Sequence, residues 1–143
     1  MAKRKLAETF RHFWDASAFV ALLAKQDSRH NEALKIHRWL AQKDVQLYTS
    51  WPVISESATV LLYHDGYSSC LGLFKILSAF TLLRPNESDY FETIALFKEF
   101  NQDQKLSFND ILSYVLIRNH LPGASVVTFD KDFSKMGMTV FRP

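Results

Sequence analysis

Residues 125–130 have the sequence Ser-Val-Val-Thr-Phe-Asp, and this stretch decides the fold. Residues 125–129 combine β-branched and aromatic side chains, which favour extended structure, so they predict the strongest strand of the chain. Asp130 follows directly and places a carboxylate where that strand ends. Upstream, short apolar runs alternate with stretches of helical periodicity. Strands separated by helices predict an α/β fold with a mainly parallel central sheet that helices cover on both faces.

The other elements are bounded by breakers and capping residues. Besides residues 125–129, we expect strands at 10–14, 45–49, 81–84 and 139–141. Proline fits the first turn of a helix and glycine its end, so a helix is predicted from Pro52 to about Gly66. Capping residues and apolar periodicity predict further helices at 17–25, from Ser28 onward, at 68–80, from Asn86 to about 100, from Ser107 to about 121, and at 131–134.

Length and composition predict one domain with a substantial core. The chain has 143 residues, of which 48% are hydrophobic and 14% aromatic, and this composition argues against disorder. We assign residues 10–143 to the domain and residues 1–9 to a basic tail. The apolar stretches are too short to span a bilayer, and no signal segment follows the tail, so we expect a cytoplasmic protein without membrane attachment. Cys70 is the only cysteine, which excludes a thiolate zinc site within one chain.

Three further carboxylates occupy positions comparable to that of Asp130. Asp15 ends the first predicted strand, Glu56 lies one turn into the helix after the second strand, and Asp110 opens a helix. Because the carboxyl ends of parallel strands share one edge of the sheet, these acids are expected to meet there. Clustered carboxylates repel one another unless a cation joins them. Oxygen ligands suit Mg²⁺ best, with Mn²⁺ as a second possibility.

Each of these acids also has an ordinary interpretation. Asp15 is placed to cap the first helix, and Glu56 lies off the apolar stripe of its helix, as a solvated acid would. Asp110 occupies the third position of a Ser-x-x-Asp capping box. Asp130 suits a turn, and Asp132 competes with it for the same place at the edge of the sheet. The argument for a site therefore depends on the joint placement of the acids.

Four segments of the chain resemble the acidic motifs of PIN domains, and their spacing is most similar to that of VapC-type toxins. The segments are DASAFVALL at 15–23, SE at 55–56, LSFND at 106–110 and TFDKDF at 128–133. The resemblance extends from about residue 10 to residue 141. It implies a three-layer α/β/α PIN-like fold and an Mg²⁺-dependent endoribonuclease that cleaves RNA by metal-activated water. It also implies the toxin of a toxin–antitoxin pair, with an antitoxin protein as partner and a homodimer as the expected assembly.

The resemblance assigns roles to individual residues. Asp15, Glu56, Asp110 and Asp130 correspond to the catalytic acids, and three of them, Asp15, Asp110 and Asp130, are expected to bind the metal. Supporting roles fall to Ser17, Thr128 and Asp132.

Basic residues near the acids are candidates for holding the substrate. The formal net charge is only +2. If the acids cluster, however, the rest of the surface is more positive than this total suggests, which suits a polyanionic substrate. Arg118 on the Asp110 helix and Lys131 beside Asp130 are the residues we expect to contact RNA.

Two other functions compete with this interpretation. A phosphatase of the haloacid dehalogenase type also places an Asp after its first strand, but it needs a second acid two residues later, where this chain has Ser17. The stronger alternative is a catalytically silent PIN-like module that binds RNA or a protein partner. A binding module would hold RNA without cutting it, so metal-dependent cleavage separates the two.

Overall fold

The computed structural model describes residues 10–142, so the predicted tail at 1–9 lies outside the described residues. Within this range the central sheet has four strands, all parallel, in the order β3-β2-β1-β4. The strands are β1 (Arg11–Trp14), β2 (Gln46–Ser50), β3 (Thr81–Leu83) and β4 (Ser125–Val127). The predicted α/β fold with a parallel central sheet is confirmed.

Helices connect consecutive strands, and a last short helix follows β4. They are α1 (Ala16–Leu23), α2 (His30–Ala41), α3 (Trp51–His64), α4 (Tyr67–Ile76), α5 (Glu87–Phe100), α6 (Phe108–His120) and α7 (Asp132–Lys135), and a 3₁₀ turn at Leu77–Ala79 follows α4. Among the described residues, no helix combines the length and apolar character needed to cross a membrane.

The strand order distributes the helices over the two faces of the sheet. From β1 to β2 to β3 the chain moves in one direction, and from β3 to β4 it returns past β1 to the opposite edge. With right-handed crossovers, α1–α4 lie on one face and α5–α6 on the other. The helix contacts agree, because α1 packs against α2, α3 and α4, whereas α5 packs against α6. The result is the predicted three-layer α/β/α arrangement, with its change of direction beside β1.

Apolar residues at the centre of the sheet hold β1 rigidly. Phe13 and Trp14 are fully buried. The ring of Trp14 lies 5.4 Å from that of Phe19 and 5.8 Å from that of Phe80, measured between centroids. Thr49 Oγ1 on β2 donates a hydrogen bond to Trp14 O at 2.8 Å. Asp15 follows Trp14 directly, so this packing fixes the backbone position from which the Asp15 side chain extends.

Helix α6 is anchored by its buried face and, at its C-terminal end, by a buried acid on α5. Ile111, Leu112, Val115 and Leu116 are at most 1% exposed. Asp89 on α5 is 2% exposed. It accepts a hydrogen bond from Asn119 and lies 3.0 Å from His120 Nε2. Both partners are in the last turn of α6, so the contact joins the two helices and steadies the helix that carries Asp110.

Two predicted strand ends were wrong, for a local reason. Strand β4 ends at Val127 rather than at residue 129, because Phe129 N donates to Ser17 Oγ and Asp130 N donates to Thr128 Oγ1 instead of to a neighbouring strand. The strand predicted at 139–141 is reduced to a single bridge between Val126 and Val140.

Helix boundaries also shifted by a few residues. Ser28 was predicted to cap α2, but α2 begins at His30 after Arg29, without a side-chain cap. Asp27 instead accepts the Arg29 N–H at 2.8 Å. The helix predicted at 68–80 is split into α4 and the 3₁₀ turn.

Candidate metal centre

Asp15 lies where β1 separates from β4 and α1 begins. Its N–H donates to Val127 O at 3.0 Å. The side chain then caps α1 by accepting from Ser17 N at 3.4 Å. At 3% exposure the carboxylate is almost completely buried. The predicted capping role is therefore present, but it engages only one of the two carboxylate oxygens.

Two hydroxyl groups fix that oxygen. Ser17 Oγ and Thr128 Oγ1 each donate to Asp15 Oδ2 at 2.9 Å. Each hydroxyl also accepts a backbone N–H at 3.0 Å, from Phe129 and Asp130 respectively. One donated and one accepted bond per hydroxyl make a satisfied buried network. The network ties the end of β1 to the segment after β4, and so it sets the position of Asp130 relative to Asp15.

Asp110, Asp130 and Asp132 form a tight carboxylate cluster. One oxygen from each lies within 4.8 Å of the others. Asp110 stands at the third position of α6, where Ser107 Oγ accepts its N–H at 3.1 Å. Asp132 N donates to Asp130 Oδ1 at 2.9 Å, and Lys135 Nζ lies 3.2 Å from Asp132 Oδ1. Asp130 and Asp132, which competed for one place in the sequence, both reach it.

The electrostatics show how poorly these acids tolerate one another without a cation. Burial, then the charge of Asp15, and then a hydrogen bond and the charge of Asp130 raise the pKa of Asp110 to about 8. Burial also raises the pKa of Asp15, although the hydrogen bonds from Ser17 and Thr128 oppose it. Without a counter-charge, the cleft therefore favours the protonated form of Asp110 near neutral pH.

Glu56 lies at the edge of the same cleft. Its Oε2 accepts a hydrogen bond from Asn109 Nδ2 at 3.0 Å, and the residue is half-buried. It does not belong to the cluster of Asp110, Asp130 and Asp132. Asn109 precedes Asp110 on α6, so the first turn of this helix both contributes one acid and orients another.

A single cleft of about 560 Å³ contains these groups. The structure brings together Asp15, Ser17, Glu56, Asp110, Asp130 and Asp132 in its lining. Arg29 and Lys105 line it as well, and sequence reasoning missed both. The turn that contains Arg29 and the loop before Ser107 carry no motif, and only their position beside motif segments could have indicated them.

The two basic residues expected to hold substrate lie elsewhere. Arg118 pairs with Glu92 and stacks 5.2 Å from the centroid of the Tyr114 ring. It borders a separate pocket near Gly123, and the structure does not bring it to the acids. Lys131 is exposed beside Asp130, in a shallow pocket that it shares with Arg29 and Arg142.

The donor set fits a hard divalent cation. Carboxylate oxygens from Asp15, Asp110 and Asp130 are the ligands that Mg²⁺ and Mn²⁺ prefer. A divalent charge would also reverse the repulsion that raises the pKa of Asp110. Of these groups, Asp110 and Asp130 belong to the cluster within 4.8 Å. Asp15 is not in that cluster, but Thr128 Oγ1 links its carboxylate to the backbone N–H of Asp130.

Comparison with known proteins decides the family. The family model for the PIN domain matches residues 13–138. The chain belongs to the PIN domain family. No curated protein sequence gave a match.

Solved PIN-domain structures of toxins share this fold. VapC20 of Mycobacterium tuberculosis, a toxin that cleaves the sarcin–ricin loop, has a TM-score of 0.81 and 25% identity, and the match covers 92% of this chain and 99% of that chain. VapBC2 of Rickettsia felis, solved with a DNA fragment from its promoter, has a TM-score of 0.62 and 15% identity over 92% and 97% of the two chains. VapBC-1 of nontypeable Haemophilus influenzae has a TM-score of 0.65 and 16% identity, and the match covers 92% of this chain and 96% of that chain. Family membership and these neighbours support a nuclease of the toxin–antitoxin type.

The raised pKa of Asp110 predicts a pH-dependent stability in the metal-free PIN domain. Since the pKa rises from 3.8 to about 8 on folding, the folded state retains a proton that the unfolded chain releases above about pH 4. Stability should therefore fall as pH rises from about 4 to 8, by at most about 1.4 kcal/mol per pH unit for one proton. Asp110→Asn should flatten this dependence, measured by urea unfolding in chelator.

Adding Mg²⁺ or Mn²⁺ should stabilise the unmutated domain more at pH 8 than at pH 6, because the ligands must be deprotonated. Asp103→Asn, at an exposed position of the loop before α6, is the matched control and should retain both effects. Identical pH slopes for Asp110→Asn and the unmutated domain would contradict the assignment.

Thr128→Val tests the hydroxyl network without a large change in volume. The substitution removes a donor to Asp15 Oδ2 and the acceptor for Asp130 N. Loss of such a supporting contact should weaken metal binding by about 10- to 100-fold, measured by titration with Mn²⁺. Thr81→Val, on the exposed first position of β3, is the control. Unchanged Mn²⁺ affinity in Thr128→Val would show that the network does not position the ligands.

Proposed function

We propose that this PIN domain is a metal-dependent endoribonuclease that acts as the toxin of a toxin–antitoxin pair. The observation that carries the proposal is the cluster of Asp110, Asp130 and Asp132 with oxygens within 4.8 Å, in one cleft with the buried Asp15. The cleft lies at the carboxyl edge of a parallel sheet, beside the strand where the chain changes direction, which is where ligands bind in such folds.

Asp15, Asp110 and Asp130 are the proposed ligands of Mg²⁺, with Mn²⁺ as a possible substitute, and Asp132 supports them. The cation supplies charge neutralisation of a phosphate and a lowered pKa for a water. Glu56 Oε2 is held by Asn109, which leaves Oε1 to accept a proton from the attacking water. Ser17 and Thr128 keep Asp15 oriented through the reaction. The proposed products carry a 5′ phosphate and a 3′ hydroxyl.

Basic groups around the cleft suit an RNA substrate. Lys105 and Arg29 line the cleft itself, and Lys131 stands beside Asp130. An acidic centre repels the phosphates of RNA until a cation binds there. Positive charge at the rim of the cleft reduces this repulsion as the RNA approaches. Arg29 also pairs with Glu32 at 3.1 Å. Arg118, predicted to bind substrate, lies in a separate pocket away from the cleft and plays no part in this proposal.

The proposed partners are an antitoxin and a second copy of the chain. Solved relatives include VapBC complexes, which support an antitoxin partner. Exposed apolar side chains support a homodimer, among them Phe74 at 50% and Phe91 at 64% exposure. The proposed location is the cytoplasm, where an RNA target and an antitoxin would meet the protein.

Cleavage of RNA should require both the cation and Asp15. We would incubate the protein with a pool of structured RNAs that includes a sarcin–ricin loop, with Mg²⁺, with Mn²⁺ and with chelator. Asp15→Asn should lower the cleavage rate by about 100-fold or more, since a metal ligand contributes several kcal/mol to the transition state. Asp103→Asn should cleave normally.

Cleavage that persists in chelator, or full activity of a folded Asp15→Asn variant, would overturn the proposed mechanism. RNA retention without any cleavage would instead identify a catalytically silent binding module. Expression in a bacterial host extends the test, because the unmutated protein should arrest growth and Asp15→Asn should not.

A further inference from the structure

A second depression lies directly beside the acidic cleft. It is a groove of about 770 Å³, and Trp51, Arg84, Tyr90, Glu56 and Asn109 are among its lining residues. Glu56 and Val60 line both the groove and the cleft, so the two adjoin at these residues. None of the roles assigned above uses Trp51, Arg84 or Tyr90.

The groove extends the reactive edge of the sheet. Trp51 follows β2 directly, and Arg84 follows β3 directly. Both therefore lie at the carboxyl edge, where Asp15 and Asp130 follow β1 and β4. Neighbouring strands are about 4.8 Å apart, so β3 lies about 10 Å from β1. This is roughly the length of three stacked nucleotides at about 3.4 Å each.

The exposed groups of the groove include two aromatic rings and one cation, beside the hydroxyl residues Ser55 and Thr59. Trp51 is 43% exposed and Tyr90 is 39% exposed. Arg84 is exposed and forms no ion pair with any carboxylate in residues 10–142. Sites for single-stranded nucleic acid combine these features, because rings stack on bases whatever their sequence and a cation holds the backbone.

We propose that this groove binds the unpaired nucleotides adjacent to the scissile phosphate of an RNA substrate. The proposal rests on the proposed nuclease function for the neighbouring cleft. Trp51 and Tyr90 stack on bases, and Arg84 contacts a phosphate of the same strand. The hydrogen bond from Asn109 to Glu56 stands where the groove meets the cleft, so the strand passes the proton acceptor as it enters.

Binding is measured apart from cleavage, in the Asp110→Asn background with Mg²⁺ present. The probe is a fluorescently labelled 10-nucleotide single-stranded RNA of mixed sequence, followed by anisotropy. Adding Trp51→Ala should weaken binding roughly 5- to 150-fold, as loss of one base–aromatic stack does. Arg84→Gln should weaken it and reduce its salt dependence. Trp51→Phe should retain most of the affinity but lose the RNA-induced quenching of tryptophan fluorescence, which packing alone would not produce.

Trp39→Ala is the matched control, because Trp39 is 38% exposed but lines a different pocket with Phe10 and Phe141. It should leave RNA affinity unchanged. Trp51→Ala and Arg84→Gln variants that fold, judged by thermal unfolding, and bind the probe as tightly as the background would overturn the proposal. If such variants instead bind an antitoxin less tightly, the groove belongs to the protein partner, and the proposal fails in the same way.

A second measurement separates this proposal from the nuclease proposal. Bis(p-nitrophenyl) phosphate is too small to occupy the groove while it reacts in the cleft. In the otherwise unmutated chain, Trp51→Ala should lower the rate of RNA cleavage by a larger factor than the rate of metal-dependent hydrolysis of this diester. Absence of metal-dependent cleavage of both the diester and RNA in the unmutated chain would refute the nuclease proposal, whereas the binding measurements would still decide the role of the groove. Equal losses on the diester and on RNA would overturn a role in substrate binding.

Discussion

Repulsion between carboxylates crowded at the ends of β1 and β4 is the constraint on which the rest of the structure depends. Asp110 experiences it most clearly, because burial and the charges of Asp15 and Asp130 raise its pKa to about 8. A fold tolerates such a cluster only if the backbone holds each acid in place and either a proton or a cation offsets the charge. Rigid burial of Phe13 and Trp14, the packed face of α6 and the Ser17–Thr128 network supply that restraint.

Sheet order converts acids that are distant in sequence into neighbours. Asp15 and Asp130 are 115 positions apart, yet β1 and β4 are adjacent because the chain reverses direction after β3. The same reversal carries α6 to the opposite face from α1–α4 and brings Asp110 toward the junction. Neither strand pairing alone nor helix propensity alone would bring these acids together. Right-handed crossovers place the helices before and after the reversal on opposite faces of the sheet. The carboxyl ends of β1 and β4 are therefore left open at the reversal, where the acids meet.

The sequence predicted what depends on local order and missed what depends on turn geometry. Asp15 directly follows β1 and is placed by that strand, whereas Asp130 stands three residues after the end of β4 and is held by the hydroxyl network. Both follow strands at the same edge of the sheet, and so their shared edge could be inferred. The bonds made by Thr128 and Phe129 could not, because they replace a strand pairing that propensity favours. Arg118 shares a helix with Asp110, but eight residues at 1.5 Å each place it about 12 Å farther along the axis. Arg29 and Lys105 reach the cleft from loops, whose course no periodicity specifies.

The hydrogen bonds around the acids also bear on which cation fits. Asp15 engages Oδ2 with two hydroxyls, Asp130 engages Oδ1 with a backbone N–H, and Asp132 engages Oδ1 with Lys135. Each of these carboxylates thus has at least one oxygen bound by the protein, and Asp130 also forms a hydrogen bond with Asp110. Ca²⁺ commonly takes six to eight oxygens and accepts bidentate carboxylates, whereas Mg²⁺ is smaller and keeps several waters beside one or two carboxylates. Under the proposed function, carboxylates held in this way would suit Mg²⁺ or Mn²⁺, and the cation would supply a water of lowered pKa for attack on a phosphodiester.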